Sequence, residues 1–478
     1  MLWAKKPGFL EEPGSQRGTY IGPAQNEVTL SLVPEGLIVG RVQFPSSKTA
    51  DRVQLQLYTR QVRDGFAQWV QLKQVTTRSD GEFRFADLPV GSYKLFSLES
   101  LERDPLIAIP NGPLYAFPPM YFPEARDFAT GDTIQLSAGQ EVVANLALVR
   151  QRYYEVKIPV VNAQPGPVPG LMVAVHAQGH RGPGFQLGFD PSNQAITGSL
   201  PNGNYIIEGS VDVPGPEPGY STGIANVTVS NRPVNGSPMT LTPNPSIEIN
   251  IRQDLTSGDK TPPRPGRDGT RQPVAYVTLQ SAAEISDDRG SAMTYQSQGD
   301  PPTLVGVKPA RYWVQVRYFG GYAASLTSGS TNLLREPLVV PFGASLPAIE
   351  ITLRDDGAEI EATVAATPNE DAAPATQTNS ANYIGAAVGS FPLRQAYVVC
   401  VPVANEGGEM KQLSMRPDGT YVLQQVPPGD YRILAFEHTQ QLEYRNPEAM
   451  RAYDSKGQVI HVAPGEKAHI KLQLSESE

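Results

Sequence analysis

The chain is poor in the residues and patterns that most chemistry needs. One cysteine, Cys400, occurs in 478 residues, so no internal disulfide can staple the fold. It lies in the apolar run Ala396-Tyr-Val-Val-Cys-Val401, where a thiol reads as a small buried hydrophobe. No apolar run reaches the roughly 18–20 residues that cross a bilayer as a helix, so no membrane-spanning segment is expected. The first ten residues carry two lysines but no apolar core behind them, which is not a signal peptide as it stands. Charged residues make up only 18%, and the net charge of −9 is thinly spread. Nucleic-acid binding needs a basic patch that is missing here, and an acidic surface is repelled by anionic lipid. There is no P-loop, dinucleotide fingerprint, Gly-x-Ser-x-Gly elbow or His-Glu-x-x-His helix. No catalytic residue, metal or cofactor is therefore expected.

The remaining polar clusters fit bland roles. His176 and His180 have the i, i+4 spacing that pairs ligands on a helix, but they run from a strand into a Gly-Pro-Gly turn. Asp287-Asp288 and Asp355-Asp356-Gly357 lack the spaced carboxylates of a calcium loop and read as solvated turns.

Glycine and proline are abundant, at 44 and 45 residues, about 19% of the chain against roughly 12% on average. They punctuate a repeated phrase, a Pro-containing turn followed by Tyr and a short apolar strand. It reads Leu-Pro-Val-Gly-Ser-Tyr at 88–93, Leu-Pro-Asn-Gly-Asn-Tyr at 200–205, Lys-Pro-Ala-Arg-Tyr at 308–312 and Val-Pro-Pro-Gly-Asp-Tyr at 426–431. The tyrosines stand 112, 107 and 119 residues apart, a period that signals four copies of one domain. Between copies, pairs of alternating apolar segments read as the last strand of one unit and the first of the next. These joints place units at 36–151, 152–245, 246–356 and 357–474. Residues 1–35 resemble only the closing part of a further sandwich, which implies an upstream domain and an upstream signal peptide. The expected fold is all-β, a tandem array of four Ig- or transthyretin-like antiparallel sandwiches joined by connectors short enough to make a stiff rod.

Local chemistry agrees. Asp80-Gly81 and Asp418-Gly419 read as two-residue hairpin turns. Gly91, Gly203 and Gly429 sit two residues before Tyr, where a positive φ costs glycine little; Ala310 takes that place in the third copy. The tyrosines should bury their rings and hydrogen-bond their hydroxyls to a loop, with Tyr93/Leu95/Ser97, Tyr205/Ile207, Tyr312/Val314/Val316 and Tyr431/Ile433/Ala435 facing the cores. One short helix is expected over 446–453, with Asn446 as N-cap and Pro447 at its first position. Thr256–Gln272 and Ala365–Asn382 read as mobile linker-like loops.

Loop aromatics are the candidate binding residues: Tyr115, Phe117, Tyr121 and Phe122 in the first unit, and Tyr318 and Tyr322 in the third. Such rings stack on sugars or anchor a protein partner, or else cap the open end of their own sandwich.

The segments Thr77-Arg-Ser-Asp-Gly-Glu-Phe-Arg-Phe-Ala-Asp-Leu-Pro-Val-Gly-Ser-Tyr-Lys-Leu95 and Met415-Arg-Pro-Asp-Gly-Thr-Tyr-Val-Leu-Gln-Gln-Val-Pro-Pro-Gly-Asp-Tyr-Arg-Ile433 resemble the core of the carboxypeptidase regulatory-like domain. Units two and three share only the Pro-turn-Tyr step. The fourth unit is also similar to multi-repeat exported proteins of acidobacteria. The resemblance implies a transthyretin-like sandwich of about seven strands, grouped with starch-binding-like folds and carrying no catalytic residues. It further implies bacterial surface or periplasmic proteins, some of which bind carbohydrate. The resulting expectation is a non-enzymatic exported protein acting as a spacer or protein-interaction module, with carbohydrate binding through loop aromatics as the alternative. Its partner would be a protein or glycan of the cell envelope, and its location secreted, periplasmic or outer-membrane-associated.

Overall fold

Each unit opens on a strand whose alternate side chains point inward: Gly36–Gln43, Gln151–Asn162, Ile247–Gln253 and Ala358–Ala365. This is seen in a computed structural model that describes residues 4–11, 30–45, 50–101, 113–163, 166–178, 182–213, 219–256, 264–265, 271–272, 274–286, 294–295, 301–365, 396–403 and 408–475. The chain is all-β, built as sandwiches in tandem, with one short helix, Pro447–Met450, among the described residues. That helix is capped as its sequence requires: the Asn446 side chain accepts from the amides of Glu448 and Ala449.

Four buried clusters follow one another along the chain. They centre on Ile38, Phe85 and Tyr93; on Ile158, Leu200 and Tyr205; on Ile249, Leu279 and Tyr312; and on Ile360, Tyr431 and Ile433. In every unit the opening strand pairs antiparallel with the strand before the Pro turn: Glu82–Leu88, Ala195–Pro201, Thr303–Leu304 and Tyr421–Val426. The tyrosine strand that follows the turn lies in the facing layer, against Gln54–Arg63, Met172–Ala177, Tyr276–Ser281 or Tyr397–Pro402; in unit two Met239–Pro243 pairs with both layers and joins them into one sheet. The Pro turn is therefore the corner where the chain crosses between sheets.

The tyrosine pins that crossing. Its hydroxyl donates to the carbonyl four residues upstream in all four copies: Tyr93 to Pro89 at 2.6 Å, Tyr205 to Pro201 at 2.9 Å, Tyr312 to Lys308 at 2.9 Å and Tyr431 to Pro427 at 2.8 Å. This is the tyrosine corner of β-sandwiches. In the third copy the proline has moved one place along, yet the acceptor position is kept. The inward partners Leu95, Ser97, Ile207, Val314, Ile433 and Ala435 are buried, and Val316 packs partly buried against the third core.

Three turn details differ from expectation. Gly91 and Gly203 do not have positive φ; a Cβ on Gly203 would meet the Tyr205 hydroxyl at 3.0 Å, so glycine there makes room for the ring. The left-handed residues are instead Asp87 and Gln425, the extra residues of matching bulges beside Gly36/Ile38 and Ala358/Ile360. The Asp-Gly turns at 80–81 and 418–419 are three-residue loops. Gly81 donates to the Arg78 carbonyl and the Arg78 amide to Glu82, a pattern copied at Arg416, Gly419 and Thr420. The two-residue turn is Asp64-Gly65, with φ of 47° and 81°.

Not all pairing is antiparallel. The closing strand runs parallel to the opening strand in each unit, as in 349–353 beside 249–253 and 467–473 beside 359–365. A parallel first and last strand lets the chain enter at one end of a sandwich and leave at the other, which suits a tandem array. Near the start, Phe9–Glu11 pairs with Leu32–Pro34; residues 1–3 and 12–29 of that segment lie outside the described residues.

A straight rod does not result. The hairpin Gln54–Arg63 and Phe66–Thr76 outgrows its own unit, and its tip reaches units three and four, some 250–380 residues away in sequence. Ile285–Ser286 of unit three extends the hairpin's edge in parallel with Trp69–Val70, and Gln68 donates to the Ser281 carbonyl. Gly65 packs under Tyr444 of unit four, where a Cβ would meet the ring at 2.7 Å. Arg60 pairs with both carboxylate oxygens of Glu443, and Arg445 donates to the Asp64 carbonyl.

Candidate functional site: a cleft where three units meet

The residue after each corner tyrosine faces outward, because side chains alternate along a strand. It is Lys94, Ile206, Trp313 and Arg432 in the four copies. In units one and four this cation ties a later segment across the outer sheet face. Lys94, only 6% exposed, donates to the carbonyls of Phe128 at 2.6 Å and Gly131 at 2.9 Å. Arg432 donates to the carbonyls of Tyr453 and Asp454 and pairs with the Asp454 carboxylate. Burial pulls the Lys94 pKa downward, opposed by Glu284, Asp127 and Asp132. Unit three has a tryptophan at this position, and its outer sheet face stays open.

That face is the floor of a cleft of about 600 Å³, within the size range of small-ligand sites, which favour domain junctions. Three cross-strand pairs build it: Tyr276 beside Arg317, Thr278 beside Gln315 and Gln280 beside Trp313. The hairpin tip of unit one forms one wall, where Phe66 stacks on Trp313 with centroids 4.3 Å apart. The Arg445 guanidinium lies 5.1 Å from Phe66 and 5.4 Å from Trp313, a cation–π clamp. Glu409 and Lys411 of unit four form another wall. At the rim stands Phe319, 77% exposed.

The polar floor is ordered: Gln315 donates to Asp64 at 2.5 Å and to Gln280 at 2.9 Å. Glu409 behaves differently. The protein crowded around its carboxyl and the nearby Asp64 charge raise its pKa, against the pull of Lys411, Arg445 and Arg317. The residue keeps contact with water, so crowding rather than full enclosure causes the shift. Arg317, Lys411 and Glu409 have no side-chain hydrogen bond or ion pair among the described residues.

The six aromatics singled out in the sequence do not converge. Tyr318 and Tyr322 line this cleft, although Tyr322 is 6% exposed and donates to Asp356 at 2.9 Å. Of the other four, Tyr115 and Tyr121 touch unit two, while Phe117 and Phe122 pack on the first unit's own core. Leu114–Phe117 adds a strand to the opening strand of unit two, with Tyr115 opposite Arg152 and its ring 3.7 Å from the Arg150 guanidinium. Phe117 is 2% exposed and stacks on Phe44 at 4.1 Å. Tyr121, 4% exposed, donates to the Pro183 carbonyl of unit two at 2.6 Å, and Phe122 packs partly buried on the first core. The rings of Phe117 and Tyr121 are thus closed off from any ligand. Phe117 belongs to the first unit's core, and Tyr121 to a second buried cluster with Tyr58, Trp69, Phe96 and Phe128.

Other polar candidates are engaged elsewhere. Asp355 accepts from Thr256 and Asp356 pairs with Arg354; His180 and Asp287-Asp288 lie outside the described residues. No group of three His, Cys, Asp or Glu side chains suited to a metal occurs among the described residues. The sequence reading missed Phe66, Trp313 and Arg445. Trp313 had a signal: Tyr312 inward requires Trp313 outward. Phe66 follows the one Asp-Gly pair among the described residues with two-residue hairpin geometry.

No family model matches the chain and no curated protein matches it. Among solved structures it is similar to a minor pilin of Streptococcus agalactiae at 15% identity, over 44% of this chain and 97% of that one, with a TM-score of 0.19. A streptococcal ancillary pilin gives 12% identity over 67% and 99%, TM-score 0.20. The major pilin subunit of Bacillus cereus gives 11% over 93% and 100%, TM-score 0.15. At these values the likenesses carry no functional argument. The fold and the cleft define the class: an all-β array of Ig-like sandwiches in which three units share one open site.

Proposed function

We propose that this is a non-enzymatic, exported binding protein of the cell envelope that uses the three-unit cleft as its contact site. The observation that carries this reading is the clasp. A hairpin of unit one is locked into units three and four around an open, partly apolar site, Phe319 at its rim. A pure spacer gains nothing from folding back on itself, whereas a binding site gains preorganised walls. Export rests on the resemblance of units one and four to the carboxypeptidase regulatory-like domain.

Of the two kinds of occupant, a saccharide is favoured over a protein segment. The floor is a sheet face bearing amides, a hydroxyl and aromatic rings, not a free strand edge that would pair with a peptide backbone. The test compares the intact chain with a Tyr318→Ala/Phe319→Ala double variant on a glycan array and on immobilised bacterial envelope fractions. Retention by the native chain that the double variant loses supports the reading. Equal retention by both, or none by either, contradicts it.

A further inference from the structure

We infer that the cleft is built for an acidic saccharide, one carrying carboxylates on a sugar chain; this rests on the reading of the cleft as a binding site. The protein as a whole is acidic, at −9, yet Arg317, Lys411 and Arg445 face the cleft against Asp64 and Glu409. Arg445 is committed to the carbonyls of Asp64 and Gly408 and to the Phe66/Trp313 stack. Asp64 is committed to Gln315. That leaves two cations, Arg317 and Lys411, lining the cleft with one carboxyl, Glu409, on which both act without either being joined to it in a pair.

Unpaired charges of both signs in a crowded cleft gain by meeting a ligand that supplies what they lack. A sugar carboxylate answers the excess of cations, and Arg317 can take it with two parallel N–H bonds. Glu409 suits a sugar hydroxyl: a carboxylate accepts from it, and a protonated carboxyl donates to it. The aromatic side offers flat apolar surface at Phe319, 77% exposed, with the partly buried Tyr318 beside it, which matches the C–H face of a pyranose ring. The floor amides Gln280 and Gln315 already satisfy each other, so they set spacing more than charge. A neutral glycan would leave both cations desolvated and unanswered, and this disfavours it.

The experiment is calorimetric titration of the intact chain with trigalacturonic acid and with a hyaluronan tetrasaccharide, each beside its methyl ester. At low salt the acids should bind at least about tenfold tighter than their esters, and the gap should shrink as salt screens the charges. Arg317→Gln and Lys411→Gln should each weaken the acids about tenfold and leave the esters unchanged. Phe319→Ala should weaken acids and esters alike. Arg317 is exposed and neither cation has a side-chain partner, so both variants should keep the native melting temperature, which is checked first. Equal binding of acid and ester, or acid binding that both charge variants leave intact, overturns the acidic preference while the cleft stands as a binding site. No binding of either acid also overturns it; the array comparison with the Tyr318/Phe319 variant then judges the cleft itself.

Discussion

Removing one oxygen atom tests the corner that every unit shares. In Tyr205→Phe the ring stays and no cavity forms, so the change isolates the bond from the Tyr205 hydroxyl to the Pro201 carbonyl. That bond is buried, whereas the equivalents at Tyr93, Tyr312 and Tyr431 are part-buried. A net hydrogen bond is worth about 1 kcal/mol, and a buried carbonyl left unpaired costs roughly 1–3 kcal/mol. Tyr205→Phe should therefore destabilise unit two by about 2 kcal/mol, and the other three substitutions should cost about 1 kcal/mol each in their own units. Hydrogen exchange read by mass spectrometry reports each unit separately. At about 2 kcal/mol, amides of 195–213 should exchange roughly 30-fold faster, with little change in units three and four. Unchanged exchange at 195–213 would refute the corner as a stabilising device. Equal acceleration in all units would refute its local action.

Three further outcomes follow from buried or crowded groups. Burial pushes the Glu99 carboxyl up to about 7, against the bond that its Oε1 accepts from the Gln186 amide. Its folded pKa lies above the unfolded value, so its contribution is full below about pH 4.5 and is lost as pH rises through 7. Thermal melts of Glu99→Gln should lose that slope and gain up to about 3 kcal/mol over the native protein at pH 8; an unchanged slope contradicts the assignment. Lys94→Met leaves the carbonyls of Phe128 and Gly131 without their ammonium donor. Limited proteolysis should then cut near 124–132 first, at a cost of about 2–3 kcal/mol in unit one; unchanged cleavage would count against the tie. Gly65→Ala forces a Cβ into Tyr444 at a φ of 81°, so exchange should rise at 441–446 and 60–66 while the four cores keep their protection.

The sequence carried the repeat because the repeat is local. Pro, turn and Tyr lie within six residues, and the tyrosine's partner is four residues away. Strand alternation likewise showed which side chains enter each core. The parallel closing strands and the clasp were not legible, since they join residues about 100 and 380 apart through geometry that no short motif encodes. The aromatic segment at 114–122 misled for a physical reason. Tyr and Phe between prolines look alike whether they face a ligand or their own protein, and here Phe117 enters the first core and Tyr121 a second buried cluster. At the cleft, Tyr318 and Tyr322 came from sequence, but Trp313 acquires its setting only when Phe66 and Arg445 arrive from other units.

The central claim is that units one, three and four close on one cleft, and cysteine cross-linking tests it directly. Val62 and Gln441 lie on opposite sides of the clasp, with the Val62 amide 3.4 Å from the Gln441 side-chain oxygen. In a Val62→Cys/Gln441→Cys variant, native Cys400 does not compete, because it is buried and its thiol is pushed up to about 12. A short bismaleimide at low protein concentration should join the two new cysteines within one chain in high yield, and Gly65→Ala should reduce that yield. Failure of the within-chain cross-link, or its formation only between chains as concentration rises, would contradict the clasp and the cleft built on it.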